Sequence, residues 1–314
     1  MSPEAVRPGT VDLGTAAGGG ALLVIGDVVT DVVARHRTPL AHGTDTAAEI
    51  RTLPGGAGAN AACWAVRAGC ADVRLLARVG ADAHDWHEER LRRAGVRAHL
   101  VRDEKEPTGT VICLVDATAE RTLLTDSGAT LRLTPADWSP ELLAGVARLH
   151  LSGYLFFAAT ARELAAAAME SARERGIPVS VDPASAGFIE EWGAGRFLSA
   201  VTGAETLLPN ADEARLLTGR SDPVDAAAEL SRQVPLAVVT LGGDGALVAE
   251  AGAVTARLPP IPAQAVDSTG AGDAFTGAFL AARLRGATPE RAAAAGCRAG
   301  AHAVTIPGGR PRTP

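Results

Sequence analysis

Apolar and polar positions along the chain change period repeatedly, and the changes predict strands alternating with helices. "ALLVIG" (21–26) is a short continuous apolar run, the mark of a buried strand. A helical spacing follows from about Ala59 to Ala68, then "VRLLARVG" (73–80) as a strand and a helix over about 83–94. The rhythm resumes with "ARLHLSG" (147–153), an alanine-rich helix at 160–175, "IPVSVDP" (177–183) and a helix near 189–201. "ETLLPN" (205–210), two short helices and "LAVVTLGGDG" (236–245) complete it. That alternation predicts parallel strands joined by crossover helices.

Two segments break the rhythm. Residues 32–53 are turn-rich without helical period, and "TGTVICLVDATAERTLLTDSG" (108–128) reads as two strands around a polar turn. Both predict antiparallel β structure, a flap over one edge of the main sheet. Such flaps close over substrates and exclude water, an inert surface hairpin being the plainer alternative. Residues 271–303 predict two helices, the second capped by Thr288 with Pro289 at its first position. Residues 1–20 read as a flexible leader, and no repeat or linker divides the single domain expected over 21–314.

Composition narrows the class. A 314-residue chain with 47% hydrophobic residues supports a large core. The net charge of −6, with basic residues scattered among acidic ones, leaves no footprint for nucleic acid or an anionic membrane, so a small ligand is the expected partner. The first apolar run stops at Asp27, too short for a membrane span or signal peptide, and points to the cytoplasm. Cys63, Cys70, Cys113 and Cys297 form no C-x-x-C pair and read as reduced thiols. The single lysine, Lys105, lies in "RDEKEP"; with no G-x-x-x-x-G-K-[ST], P-loop ATPases and protein kinases of the usual build are excluded. "HDWHEE" (84–89) has neither zinc-protease order, and "PASAG" (183–187) lacks the first glycine of a nucleophile elbow.

Chemistry concentrates in glycine-rich junctions. "DSTGAGDAFTGAF" (267–279) passes from an extended approach into a helix, where free amides and the dipole favour an anion and Gly270 and Gly272 permit close approach. Phosphate is the natural guest. Asp273 in the first turn places a carboxylate beside it, a pairing suited to phosphoryl transfer onto a hydroxyl; helix-packing glycines with a capping box are the structural alternative. "PGGAGANAACWAVRAG" (54–69) also runs from loop into helix. Gly56-x-Gly58-x-x-Ala61 imitates a dinucleotide fingerprint, but the preceding "AAEIRTLP" is not a buried strand. A polyhydroxylated ligand bonded by Asn60 fits better.

"GDVVTDVV" puts Asp27 and Asp31 beyond the carboxyl edge of the first strand, where open α/β sheets bind ligands and where carboxylates accept bonds from sugar hydroxyls. In "LLPNADEARLLTG" (207–219), Asn210 and Glu213 read as a capping box or as organisers of a Mg²⁺–water shell. "VVTLGGDGALV" (238–248) reads as a hairpin turn, or as Thr240 and Gly242 presented to nucleotide phosphates.

In this order, over roughly residues 21–310, these motifs resemble the ribokinase-like sugar kinases, also called the phosphofructokinase-B type. "GGAGANAACWAVRAG" with a further Gly80, "PNADE", "TLGGDG" and "DSTGAGDAFTGAF" carry the resemblance. It implies a three-layer α/β/α fold with a mostly parallel sheet and a small β-sheet lid, and ATP-dependent transfer to a hydroxymethyl group of a small sugar. A nucleoside kinase and a non-catalytic sugar or nucleotide sensor are the alternatives. The resemblance makes Asp273 the general base and the amides of Gly270, Ala271 and Gly272 the γ-phosphate hole. Asp31, Gly55, Gly56 and Asn60 match sugar contacts, with Asp27 a companion. Asn210 and Glu213 match the pair that organises Mg²⁺, and Thr240, Gly242 and Gly245 the nucleotide loop. Asp267, Thr269, Ala303, Ile306 and Gly308 match a monovalent-cation site, so K⁺ activation is expected. Dimerisation through lid strands is common among relatives. Ala57 stands where ribokinases proper usually have lysine, and Gly153 where they often have a sugar-binding glutamate, which leaves the sugar open.

Overall fold

In the computed structural model of the chain, residues 20–118 and 121–312 are described; residues 1–19 of the expected leader lie outside them. The centre is β1 (Ala21–Ile25), buried along its whole length. It pairs in parallel with β4 (Val73–Gly80) on one side and β8 (Val146–Ser152) on the other. Beyond β4 lies β5 (Arg97–Asp103); beyond β8 come β9 (Val179–Asp182), β10 (Thr206–Leu207) and β11 (Leu236–Thr240), all parallel. The antiparallel β12 (Ala246–Glu250) and β13 (Ala253–Leu258) finish that edge. The order is β13-β12-β11-β10-β9-β8-β1-β4-β5.

The period of two in β1 sorts the core into two layers. Leu23 and Ile25 face a cluster with α3 (Ala159–Glu174), α5 (Ala194–Ala200), α6 (Ala211–Thr218) and α7 (Pro223–Leu230). Leu22 and Val24 face α1 (Ala57–Arg67), α8 (Ala271–Leu284) and α9 (Pro289–Ala303), with Leu91 of α2 (His84–Arg93) in the same layer. The expected three-layer arrangement is therefore present. The expected helix near 189–201 is instead two, α4 (Ala186–Trp192) and α5, broken where Gly193 takes φ 105°. The sequence pattern did not single out β5: it is an edge strand of alternating exposure, and its arginines and histidine mask the apolar period.

The two segments outside the rhythm form a separate sheet of β3 (Ala48–Gly55), β2 (Val29–His36), β6 (Thr110–Val115) and β7 (Arg121–Asp126), in that order. Each segment is antiparallel as expected, but β2 and β6 join them in parallel, so the lid is a mixed sheet. Val33, Cys113 and Leu123 share its inner face, while Ile50, Ile112 and Leu124 lie on the outer one.

The chain adds strands outward from β1 in one direction as far as β5 and then reverses at β8. A crevice beyond the carboxyl ends of neighbouring strands follows from such a switch. Helix packing sharpens it: a Cβ on Gly277 of α8 would lie 2.3 Å from the Ala61 carbonyl of α1, so only glycine lets these two helix starts converge. Among the described residues, no helix is long and apolar enough to cross a membrane.

Candidate active site

The switch point opens into a cavity of about 270 Å³ roofed by the inner face of the lid. Asp27, directly after β1, is buried, lines this cavity and accepts three hydrogen bonds. Its Oδ2 accepts from the Ala57 amide (2.6 Å), and its Oδ1 from the Gly58 amide (3.0 Å) and Ser152 Oγ (2.8 Å). It therefore ties the start of α1 to the ends of β1 and β8, a service the local sequence of α1 lacks, since Gly56 offers no capping side chain.

Asp31 of β2 points down into the cavity. Burial pushes its carboxyl up to about 6; Arg310 opposes the rise, and Asp27 and Asp267 add to it. Gly55 lies opposite, so close that a Cβ there would be 2.3 Å from Asp31 Oδ2. Gly56 and Asn60 complete this wall. Asn60, buried in α1, donates from Nδ2 to Asp273 Oδ2 at 2.8 Å and accepts from Arg310 Nε at 3.3 Å.

Asp273 sits in the first turn of α8. Burial pushes its carboxyl well above the ordinary range; the Asn60 hydrogen bond opposes this, and Asp182, Asp27 and Asp31 reinforce it. The helix begins at Gly270, whose φ of 73° and approach to Gly309, 2.5 Å from a Cβ placed there, exclude any other residue without rearrangement. A Cβ on Gly272 would meet only open space, beside the cavity it lines. Amides of a first helical turn have no acceptor within the helix, and the Ala271 amide makes only a long 3.4 Å bond to Ser268 O.

The opposite wall holds a capping box: Asn210 Oδ1 accepts from the Glu213 amide and Glu213 Oε2 from the Asn210 amide, both at 2.9 Å. Glu213 is buried; burial raises its carboxyl and the neighbouring Asp182 raises it further. Burial likewise raises Asp182, against bonds from Thr276 Oγ1 (3.0 Å) and the Ala184 amide (3.0 Å). Asp182 and Glu213 offer oxygen ligands only, a donor set suited to a hard cation. Thr240, bridged to Asn210, lines the same cavity, whereas Gly242 and Gly245 sit in the turn between β11 and β12 outside its lining.

Of the expected cation set, Asp267 accepts from the amides of Thr269 (2.9 Å) and Gly308 (3.0 Å), with Arg35 of the lid 3.6 Å away. Burial alone would raise this carboxyl, but those bonds hold it below the ordinary range. Ala303 and Ile306 pack beside Trp64 and Ala274. The sequence reading passed over Ser152, Asp182 and Arg310. Asp182 had a signal, a carboxylate at a strand's carboxyl end before proline; Arg310, in a terminal segment without periodicity, had none.

Comparison with known proteins assigns this architecture. Residues 21–314 match the model of the pfkB family of carbohydrate kinases. The chain is 30% identical over 286 residues to a fructokinase of Klebsiella pneumoniae, covering 88% of each chain. It is 28% identical to the ribokinase of Thermotoga maritima, whose crystal structure superposes with a TM-score of 0.78 over 92% of this chain and 94% of that one. A putative ribokinase II from E. coli, solved in complex with ATP and Mg²⁺, shares the fold at 23% identity and a TM-score of 0.83, over 94% of this chain and 96% of that one. With the strand order, the lid and both glycine-rich helix starts in place, the chain belongs to the pfkB family of carbohydrate kinases, phosphotransferases that act on a sugar hydroxyl.

Proposed function

We propose that the protein transfers the γ-phosphate of ATP to a hydroxymethyl group of a small sugar, with Asp273 as general base. The observation that carries this reading is the placement of the Asp273 carboxylate beside the open helix start at Gly270–Gly272, in one cavity with Asp31, Asn60, Asn210 and Glu213. Asp273 takes the hydroxyl proton as that oxygen bonds to the γ-phosphorus, and the bond to the β–γ bridging oxygen breaks to release ADP. Its raised proton affinity suits a base working near neutral pH. First-turn amides at Gly270–Gly272 receive the charge on the transferring oxygens, and the lid keeps water from competing as acceptor.

Asn210 and Glu213, with Asp182 behind them, fit Mg²⁺ held through water, which when bound would neutralise phosphate charge. Thr240 lines the same cavity and is the nucleotide contact in this reading. On the sugar side, Asp31 and Asn60 carry recognition. A Cβ at Gly153 would lie 2.1 Å from the Pro183 carbonyl, so no side chain reaches the sugar from there. Asp267 and its neighbours support a K⁺ ion beside the helix start; turnover unchanged when a large organic cation replaces K⁺ would overturn that part. The outer lid face exposes Ile50, Ile112 and Leu124, which supports a homodimer through the lid. A monomer by sedimentation at micromolar concentration would remove that part.

The deciding experiment is ADP release measured over ribose, fructose, ketodeoxy sugar acids and nucleosides, with D273A as control. Replacement of Asp273 should lower kcat by roughly 10²–10⁴-fold with nucleotide affinity nearly intact. Near-normal turnover in that variant, or no sugar-dependent ADP release at all, would overturn the reading.

A further inference from the structure

Tyr154, the only tyrosine in the chain, follows the carboxyl end of β8 in the short 3-10 helix Gly153–Phe157 and lines the substrate cavity. Ser152 before it is engaged with Asp27, and Gly153 has no room for a side chain. Tyr154 is therefore the first residue after β8 whose side chain is free to serve a ligand. Its ring stands edge-on to Phe157 (centroids 6.3 Å apart) and to Phe188 of α4 (6.0 Å), which stack on each other at 5.1 Å. A phenol clamped by its ring keeps one polar end for the cavity. That hydroxyl has no hydrogen-bond partner among the described residues. It is not sealed off either: the oxygen keeps accessible surface, and the carboxylates acting on it, Asp27, Asp273, Asp182 and Glu213, all line the same cavity.

The surroundings fix what this oxygen can do. Burial, and then those four carboxylates, push the phenol's proton affinity upward, so it stays protonated and acts as a donor. Three other neutral donors on the cavity walls are engaged within the protein: Asn60 Nδ2 with Asp273, Thr130 Oγ1 with the Val28 carbonyl and Thr276 Oγ1 with Asp182. Carboxylates accept from sugar hydroxyls, and a buried hydroxyl or ring oxygen in turn needs a donor. Five acidic side chains line the cavity, whereas among the described residues no lysine or arginine does, so an anionic group on the acceptor would meet like charge.

We propose that Tyr154 is a specificity-determining residue, whose hydroxyl donates a hydrogen bond to an uncharged oxygen of the acceptor sugar other than the oxygen that is phosphorylated. This role rests on the proposed sugar-kinase activity. Tyr154 supplies on this wall the recognition that Gly153 cannot. A neutral sugar satisfies both the donor and the acidic walls; a sugar acid brings a further carboxylate against them.

A single tyrosine gives a direct readout. Protein labelled with tyrosine isotopically enriched at the phenol carbon has one such resonance. Titrated with ribose, fructose, a ketodeoxy sugar acid and adenosine in turn, it should move saturably with the acceptor that supports ADP release. A resonance unmoved by an acceptor that is phosphorylated overturns the contact. Y154F keeps the ring among its aromatic neighbours and removes only the oxygen. It should melt like wild type and raise the sugar KM by ~5–100-fold, the scale of a buried oxygen left without its donor, with the ATP KM unchanged. Monodeoxy analogues of the sugar locate the bond: wild type should discriminate against one of them by a similar factor, and Y154F should treat sugar and analogue alike. Equal sugar KM in the two proteins, or discrimination that survives in Y154F, overturns the assignment. A sugar acid preferred over every neutral acceptor overturns the substrate class. If no acceptor releases ADP, the proposed function fails and the resonance still decides the contact: movement with a neutral sugar keeps Tyr154 in a binding site, and no movement removes it.

Discussion

Asn60 Nδ2 lies 2.8 Å from Asp273 Oδ2, so the first turn of α1 orients the carboxylate in the first turn of α8 across 213 residues of sequence. The bond does two things. It fixes the rotamer of Asp273, and it restrains a proton affinity that burial drives upward. Replacing Asn60 by alanine should lower kcat ~10-fold or more, the scale of one hydrogen bond to a charged group. With its restraint gone, Asp273 should also hold its proton to higher pH, so the acidic limb of kcat/KM against pH should move upward. A limb that stays in place would mean that Asp273 is not the titrating base.

Asp31 faces the same cavity from the lid, with its carboxyl at about 6. Above that pH it is ionised and accepts bonds from two hydroxyls; below it, one oxygen is protonated and that capacity falls. The sugar KM should therefore rise as pH drops through about 6. D31N should raise the sugar KM by ~10–100-fold, abolish this pH dependence and leave the nucleotide KM unchanged. Gly55→Ala should act in the same direction, because its methyl would strike the Asp31 carboxylate. A D31N enzyme with wild-type sugar KM would take Asp31 out of recognition.

The sequence carried the parallel sheet, the lid and the motif order because each has a local signature. β1 is apolar throughout, the lid segments lack helical period, and the starts of α1 and α8 are marked by glycine and a polar side chain. Asp273 and Asn60 were legible separately, though their contact depends on the closeness of α1 and α8 at Gly277. Asp27 shows the limit. Position suggests a ligand contact, and Asp27 does line the cavity, but no local pattern reveals that its carboxylate also holds the Ala57 and Gly58 amides and Ser152, partners up to 125 residues away. Arg310 lies further outside what periodicity reveals, since its role comes from burial against Gly55 and Asn60. Residues that act by holding other residues leave little trace in spacing.

The two glycines at the start of α8 should respond differently to one methyl group. At Gly270 a Cβ is strained by the positive φ and blocked by the Gly309 backbone, so Gly270→Ala should cost about 1–3 kcal/mol and lower the melting temperature along with activity. At Gly272 the methyl meets nothing in the protein and projects toward the proposed phosphate space. Gly272→Ala should melt like wild type yet lose kcat/KM for ATP. Thermal unfolding and kinetics on the two variants check this; equal melting temperatures with equal activities would empty the helix start of its assigned role.

Glu213 pays for its position. Burial, and then Asp182, raise its carboxyl above the ordinary glutamate value of about 4.3. A carboxyl whose folded value is raised destabilises the fold wherever it is ionised in both states, and the penalty fades as pH falls toward the unfolded value. E213Q removes that penalty, and its amide oxygen can still accept from the Asn210 amide that Glu213 now caps. Without nucleotide, E213Q should therefore melt higher than wild type at alkaline pH, with the difference shrinking as pH is lowered. With Mg²⁺ and ATP the order should reverse, because the wild-type carboxylate gains a cation that the amide attracts weakly. Melting curves over pH, with and without Mg²⁺–ATP, read both signs at once. An E213Q protein that gains as much from Mg²⁺–ATP as wild type would show that Glu213 takes no part in holding the metal.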